Sequence, residues 1–285
     1  MHTTAASPVE SPSGKNAGYE NFPVGSWLLP ARLRPHVATF YAFARAADDI
    51  ADSPNLTAAE EVERLDGYER ALLGGELDNS AYAKAHAMRI SLAETRTSAR
   101  HCVDLLAAFK QDATKLRYRD WQELIGYCRL SAAPVGRYLL DLHGGASDGY
   151  ASSDALCIAL QILNHLQDAK ADYLDLDRVY FPTSWFAAEH ATVVELRGKA
   201  SSPRLRRVFD RALDGVDRLI ETAAALGPAL SNGRLAMEAG SIVAIARALS
   251  AKLRHDDPLE KRVVLNKAQY ASCIFAGIAR GILRR

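Results

Sequence analysis

Two groups of oxygen-bearing side chains sit where apolar residues dominate. Asp48, Asp49 and Asp52 close the run Phe40-Tyr41-Ala42-Phe43-Ala44-Arg45-Ala46-Ala47. Asp48 and Asp52 are four residues apart, so both project from one face of a helix. Asn164, Asp168 and Asp172 repeat that spacing further on, in a helix whose earlier residues, 156–166, are largely apolar. Like charges at this spacing repel, so deleting one should if anything stabilise the unliganded fold. Carboxylate and amide oxygens are donors for a hard cation. Mg²⁺ takes oxygen ligands, keeps several waters and is held by one or two carboxylates plus substrate phosphates. No cysteine or histidine cluster competes for a softer metal. Either stripe alone reads equally well as a solvated, acidic helix end. Both on apolar helices of one chain argue for two carboxylate stripes facing each other across Mg²⁺ and a diphosphate.

Such stripes need long helices to carry them. The chain has 285 residues, 48% hydrophobic and 24% charged, with a formal net charge of +1. That is enough for one large core and leaves no basic footprint for a nucleic-acid partner. Residues 1–18, rich in Ser, Pro, Ala and Gly, read as a flexible tail, and 19–285 as a single all-α domain. Helices are expected from about Pro30–Pro35 to Asp52, from a capping box at Thr57 and Glu60 to Gly74-Gly75, and over 80–93, 97–116, 119–142, 152–174, 201–226, 231–253 and 260–283. Pro134 should kink the 119–142 helix. The one strand-like stretch is Arg178-Val179-Tyr180-Phe181. Cys102, Cys128, Cys157 and Cys273 form no C-x-x-C pair and read as buried, reduced thiols. There is no apolar run of spanning length and no secretory leader, so a cytoplasmic chain is expected. From Lys261 to Arg285 the sequence has bases and no acid. That reads as a core helix with basic ends or as a peripheral contact at the inner membrane face.

The motifs themselves carry a resemblance. Residues 21–30 (Asn-Phe-Pro-Val-Gly-Ser-Trp-Leu-Leu-Pro), 33–35 (Leu-Arg-Pro) and 41–52, Tyr127-Cys128-Arg129, residues 160–172 and residues 178–182 resemble the squalene/phytoene synthase family. The resemblance implies an isoprenoid synthase helical bundle with a central active-site cavity. It implies Mg²⁺ and diphosphate held by Asp48, Asp52, Asn164, Asp168 and Asp172, and a phosphate contact from Arg45, whose planar fork suits that task. Tyr127 would lie near the reacting carbons, where it stabilises positive charge or orients a water, unless it is simply a core tyrosine. Phe22, Tyr41, Gln161, Arg178 and Tyr180 would line the substrate site. Gln167 and Ala171 replace the family's usual Arg and Glu, a loss of polar contacts near the diphosphate. The opening segment and Ser131-Ala132-Ala133-Pro134-Val135-Gly136-Arg137 are most similar to the hydroxysqualene synthase branch of the bacterial hopanoid pathway. That branch ionises presqualene diphosphate, rearranges the cation and lets water capture it, without nicotinamide. Head-to-head condensation of two prenyl diphosphates to squalene, dehydrosqualene or phytoene is the alternative, and a non-catalytic assembly factor the second. Enzymes upstream and downstream in the pathway are the partners this resemblance implies.

Overall fold

A computed structural model describes residues 28–75, 79–144 and 147–283, with side-chain environments up to residue 279. The tail assigned to 1–18 and the substrate-site residue Phe22 lie outside the described residues. Contacts divide the chain into two compact units, Pro30–Thr114 and the chain from Lys115 onward, the latter taking in Leu28 and Leu29.

Among the described residues the first unit has four α-helices. α1 (Arg34–Ala51) begins with Pro35 in its first turn, where a missing N–H costs nothing, and buries Val37, Phe40, Phe43, Ala46, Ala47 and Ile50. α2 (Ala58–Leu73) opens on the expected capping box: the Thr57 N–H donates to Glu60 Oε2 at 2.8 Å and the Glu60 N–H to Thr57 Oγ1 at 3.3 Å. It closes where Gly74 takes φ 95° and the Gly75 N–H reaches back to the Arg70 carbonyl at 2.8 Å. α3 (Ala83–Thr95) and α4 (Arg100–Asp112) complete the unit. Phe43 and Tyr68, both fully buried, stack with centroids 4.9 Å apart, and the Tyr68 hydroxyl donates to the Phe43 carbonyl. Gly67 is required here: a Cβ would sit 2.1 Å from the Tyr82 hydroxyl. This packing fixes which face of α1 is core, and so which face carries Tyr41, Arg45 and Asp48.

The second unit is built on α7 (Tyr150–Leu176). Before it come β1 (Arg117–Tyr118), α5 (Trp121–Ser131) and α6 (Ala133–Leu142), and after it β2 (Val179–Pro182), α8 (Thr183–Ala188), α9 (Pro203–Ala223), α10 (Leu226–Ala229), α11 (Gly233–His255) and α12 (Lys267–Leu283). Helices α5, α6, α9 and α11 and strand β2 all pack on α7. α9 presents Leu205, Val208, Phe209, Ala212, Leu213, Val216 and Ile220, a helical-period stripe, to the core. α6 reaches α7 through Gly136, where a Cβ would lie 2.2 Å from Ser153 Oγ and 2.7 Å from Cys157 Sγ. Arg137 then clamps Asp154, its Nε donating to Oδ1 at 2.8 Å.

Several helices differ from the sequence reading, and α8 was not expected at all; three differences bear on the site. The helix expected over 97–116 stops at Asp112, because Arg117–Tyr118 pairs as a parallel strand with β2. The single kinked helix expected over 119–142 is two helices. The chain breaks at Ala132 (φ −126°, ψ −46°), and Pro134 occupies the first turn of α6, where it lacks no bond. The last helix begins only at Lys267. Residues 256–266 instead run irregularly across α7, tied there by polar side chains described below.

Candidate active site

In the first unit, α1 holds the first set of predicted residues. Arg45 Nη1 donates to Asp48 Oδ2 at 2.7 Å, one helical turn on, with both side chains half-buried. The guanidinium carbon of Arg45 lies 6.0 Å from the Tyr41 ring centroid, at the limit of a cation–π contact. Asp52 caps α1, its N–H donating to the Asp48 carbonyl at 2.9 Å. Asp49, which the sequence reading named but left out of the ligand set, turns Oδ1 into a buried position with no hydrogen-bond partner among the described residues. A buried carboxylate oxygen without a donor is costly, and a bound cation would satisfy it.

In the second unit, α7 holds Gln161, Asn164, Asp168 and Asp172, all half-buried. Asp168 is gripped in bidentate fashion by Arg262, Nε to Oδ1 at 2.7 Å and Nη2 to Oδ2 at 3.2 Å. The sequence reading counted Arg262 only as one of several C-terminal bases. Its pairing removes the basis for expecting that deletion of Asp168 would relieve repulsion. Gln167, expected as a lost contact near the diphosphate, is buried and donates its amide to the Val263 carbonyl at 2.6 Å. It is a structural tie to the same irregular segment.

Alongside this stripe lies a buried aromatic cluster. Tyr127 on α5 and Tyr180 on β2 stack at 5.4 Å, and Tyr118 of β1 lies 5.3 Å from Tyr127 and 5.9 Å from Tyr180. The β1–β2 pairing that broke the expected helix is what brings Tyr118 and Tyr180 side by side. His165 of α7 stacks on Tyr180 at 3.7 Å with an interplanar angle of 12°, and sits 6.2 Å from Tyr127. Burial pushes the His165 imidazole down to about 3, so the ring is neutral at physiological pH. Arg178 is buried too, and its backbone N–H donates to the Asp172 carbonyl at 3.0 Å, beyond the left-handed Asp177 that ends α7. Sequence reasoning missed His165, Tyr118 and Arg262. His165 stood in plain view between Asn164 and Asp168, but its ring contacts come from β2, whose position no local pattern reveals.

Among the described residues no three His, Cys, Asp or Glu side chains are grouped to hold a metal ion on their own. The donor set still fits Mg²⁺. Every predicted ligand offers oxygen, and such ions are held by one or two carboxylates at a time, the remaining positions going to phosphate and water.

The squalene/phytoene synthase family profile matches residues 15–269. A hydroxysqualene synthase from Rhodopseudomonas palustris is 42% identical over 99% of this chain and 95% of its own length. Another from Zymomonas mobilis is 36% identical over 94% of this chain and 90% of its own. Among solved structures, the squalene synthase HpnC from Alicyclobacillus acidocaldarius superposes with a TM-score of 0.70 at 30% identity, covering 81% of this chain and 86% of that one. A dehydrosqualene synthase in complex with ligand gives 0.76 at 20% identity, over 93% of this chain and 92% of that one, a likeness of fold. The architecture is thus the all-α isoprenoid synthase fold.

Proposed function

This chain belongs to the squalene/phytoene synthase family, and on that premise we propose that it is a hydroxysqualene synthase, ionising presqualene diphosphate and capturing the rearranged cation with water. The carrying observation is on α7. A run of half-buried oxygen donors lies against a buried wall of Tyr118, Tyr127, Tyr180 and neutral His165. A polar end for the diphosphate thus adjoins an aromatic wall for a cation. The close similarity to hydroxysqualene synthases along nearly the whole chain supports the same branch.

In this reading Asp48, Asp52, Asn164, Asp168 and Asp172 hold Mg²⁺ and the diphosphate. The bound ion supplies electrostatic stabilisation of the departing diphosphate. Arg45, already aimed by Asp48, adds a second positive group for the leaving oxygens. Gln161 and Arg178 border the same stripe, and Tyr41 borders Arg45. The ring of Tyr127 stabilises cationic carbon, Tyr180 lines the substrate site, and the apolar surroundings exclude water other than the one that adds. The chain acts in the cytoplasm, with a peripheral contact at the inner membrane face where its water-insoluble C30 product is handed on.

The test is product identification by mass spectrometry. Purified protein with Mg²⁺ and presqualene diphosphate should give a hydroxylated C30 alcohol, with no requirement for NADPH. Efficient conversion of farnesyl diphosphate alone into squalene or phytoene would replace this activity with head-to-head condensation. Inertness toward both, in a folded protein, would leave the assembly-factor reading.

A further inference from the structure

His165 has no role in the reading above beyond filling the aromatic wall, yet its ring is held on three sides. Its face lies on Tyr180 at 3.7 Å. Nε2 is 3.3 Å from the Gln161 amide nitrogen. Nδ1 is 4.0 Å from Asp172 Oδ2. An amide nitrogen is a donor only, so Nε2 must accept, and the single proton of the neutral ring sits on Nδ1, the nitrogen nearer the carboxylate. The result is a ring anchored by the Gln161 amide, with its Nδ1–H on the side of Asp172. Stacking on Tyr180 prevents the ring from turning out of that position.

We propose that His165 is a positioning residue, a ring fixed by Tyr180 and Gln161 that orients the Asp172 carboxylate for the cation end of the site. The inference rests on the proposed function, since it takes Asp172 as a cation ligand. Carboxylates that hold a metal are themselves held by hydrogen-bond donors, and removing such a supporting partner typically costs about 10–100-fold in metal affinity or activity. At 4.0 Å in the unliganded chain the Nδ1–Asp172 contact is longer than a hydrogen bond. On this proposal, the contact shortens to a hydrogen bond when the cation end of the site is filled.

The experiment compares His165→Phe, which keeps a ring on Tyr180 but has neither nitrogen, with His165→Asn, which keeps an N–H near the Nδ1 position. Two readouts are taken on the full chain. One is the Mg²⁺ concentration giving half-maximal turnover of presqualene diphosphate. The other is the Mg²⁺ midpoint of the rise in melting temperature with inorganic pyrophosphate present. His165→Phe should move both midpoints upward about 10–100-fold, and His165→Asn should recover most of the shift. A role in packing alone would lower the melting temperature and leave both midpoints where they are. That result overturns the proposal. If His165→Phe does not fold, His165→Ala with and without added imidazole takes its place, and failure of imidazole to restore the midpoints counts against it equally. A wild-type chain that neither turns over presqualene diphosphate nor melts higher with Mg²⁺ and pyrophosphate would sink the functional reading itself, and this proposal with it.

Discussion

Asp168 is the residue where sequence logic and tertiary structure give opposite signs. On an isolated helix it is one of a row of acids that repel, and its loss should stabilise. In the folded chain Arg262, 94 residues away, holds both of its oxygens. Spacing reveals which side chains share a face; it carries no information on what arrives from a distant segment. Asp168→Asn should therefore destabilise the unliganded protein by about 1 kcal/mol, the partial exposure of both groups holding it below a fully buried charged bond. Urea unfolding at pH 7 checks the sign, and a midpoint shift toward higher urea would restore the repulsion argument. Turnover should be lost in the same variant. The buried cysteines Cys102, Cys128 and Cys273, by contrast, were legible from their apolar surroundings, whereas Cys157 is half-buried. Burial pushes the Cys102 thiol up to about 12, so at pH 8 it stays protonated and unreactive. An aromatic disulfide reagent should label Cys102 only as the chain unfolds, and its rapid native-state labelling would contradict that burial.

At the level of elements, the signals read correctly are local ones. The capping box at Thr57 and Glu60, the glycine stop of α2 and the proline start of α1 all depend on residues within one turn of each other. What could not be read depends on partners far along the chain. Arg117–Tyr118 is a strand only because Val179–Pro182 lies beside it. Residues 260–266 lose the expected helix because Gln167 and Asp168 on α7 bind Val263 and Arg262 in an irregular path. Two neighbouring α7 residues thus fasten one segment, by opposite chemistry: a neutral buried amide and a half-exposed ion pair. Gln167→Leu keeps the volume but orphans the Val263 carbonyl, and should cost about 1–3 kcal/mol. The loss should be accompanied by faster amide exchange across 259–264 in hydrogen-exchange mass spectrometry. Unchanged exchange there would mean that Arg262 and the remaining ties, Lys170 to the Leu259 carbonyl among them, hold the segment without Gln167.

For the molecule as a whole, a net charge of +1 gives no general attraction to a membrane, so any docking must be local. Among the described residues no helix is long and apolar enough to cross a bilayer. α12 offers another route. One of its faces packs on α11, where Gly277 meets Ser241 and the Cys273 thiol meets the Ala244 carbonyl. On the other, Phe275 is 71% exposed, and Val264, just before the helix, is 47% exposed, with Lys261 and Lys267 also in solvent. Arg280, Arg284 and Arg285 follow in sequence, their side chains lying beyond the described ones. The two sequence readings, core helix and lipid contact, thus need not compete: the helix has a packed side and an outward apolar side. Burying the Phe275 ring would contribute about 1.5–3 kcal/mol, and each base near an anionic surface about 1 kcal/mol. Co-sedimentation with vesicles should then show binding to anionic lipid that weakens with salt. Phe275→Ser should reduce binding at every salt concentration. Changing Arg280, Arg284 and Arg285 to Gln should remove the salt-sensitive part. Equal, salt-insensitive partitioning of all three proteins would leave α12 as a helix with an exposed ring and no membrane role.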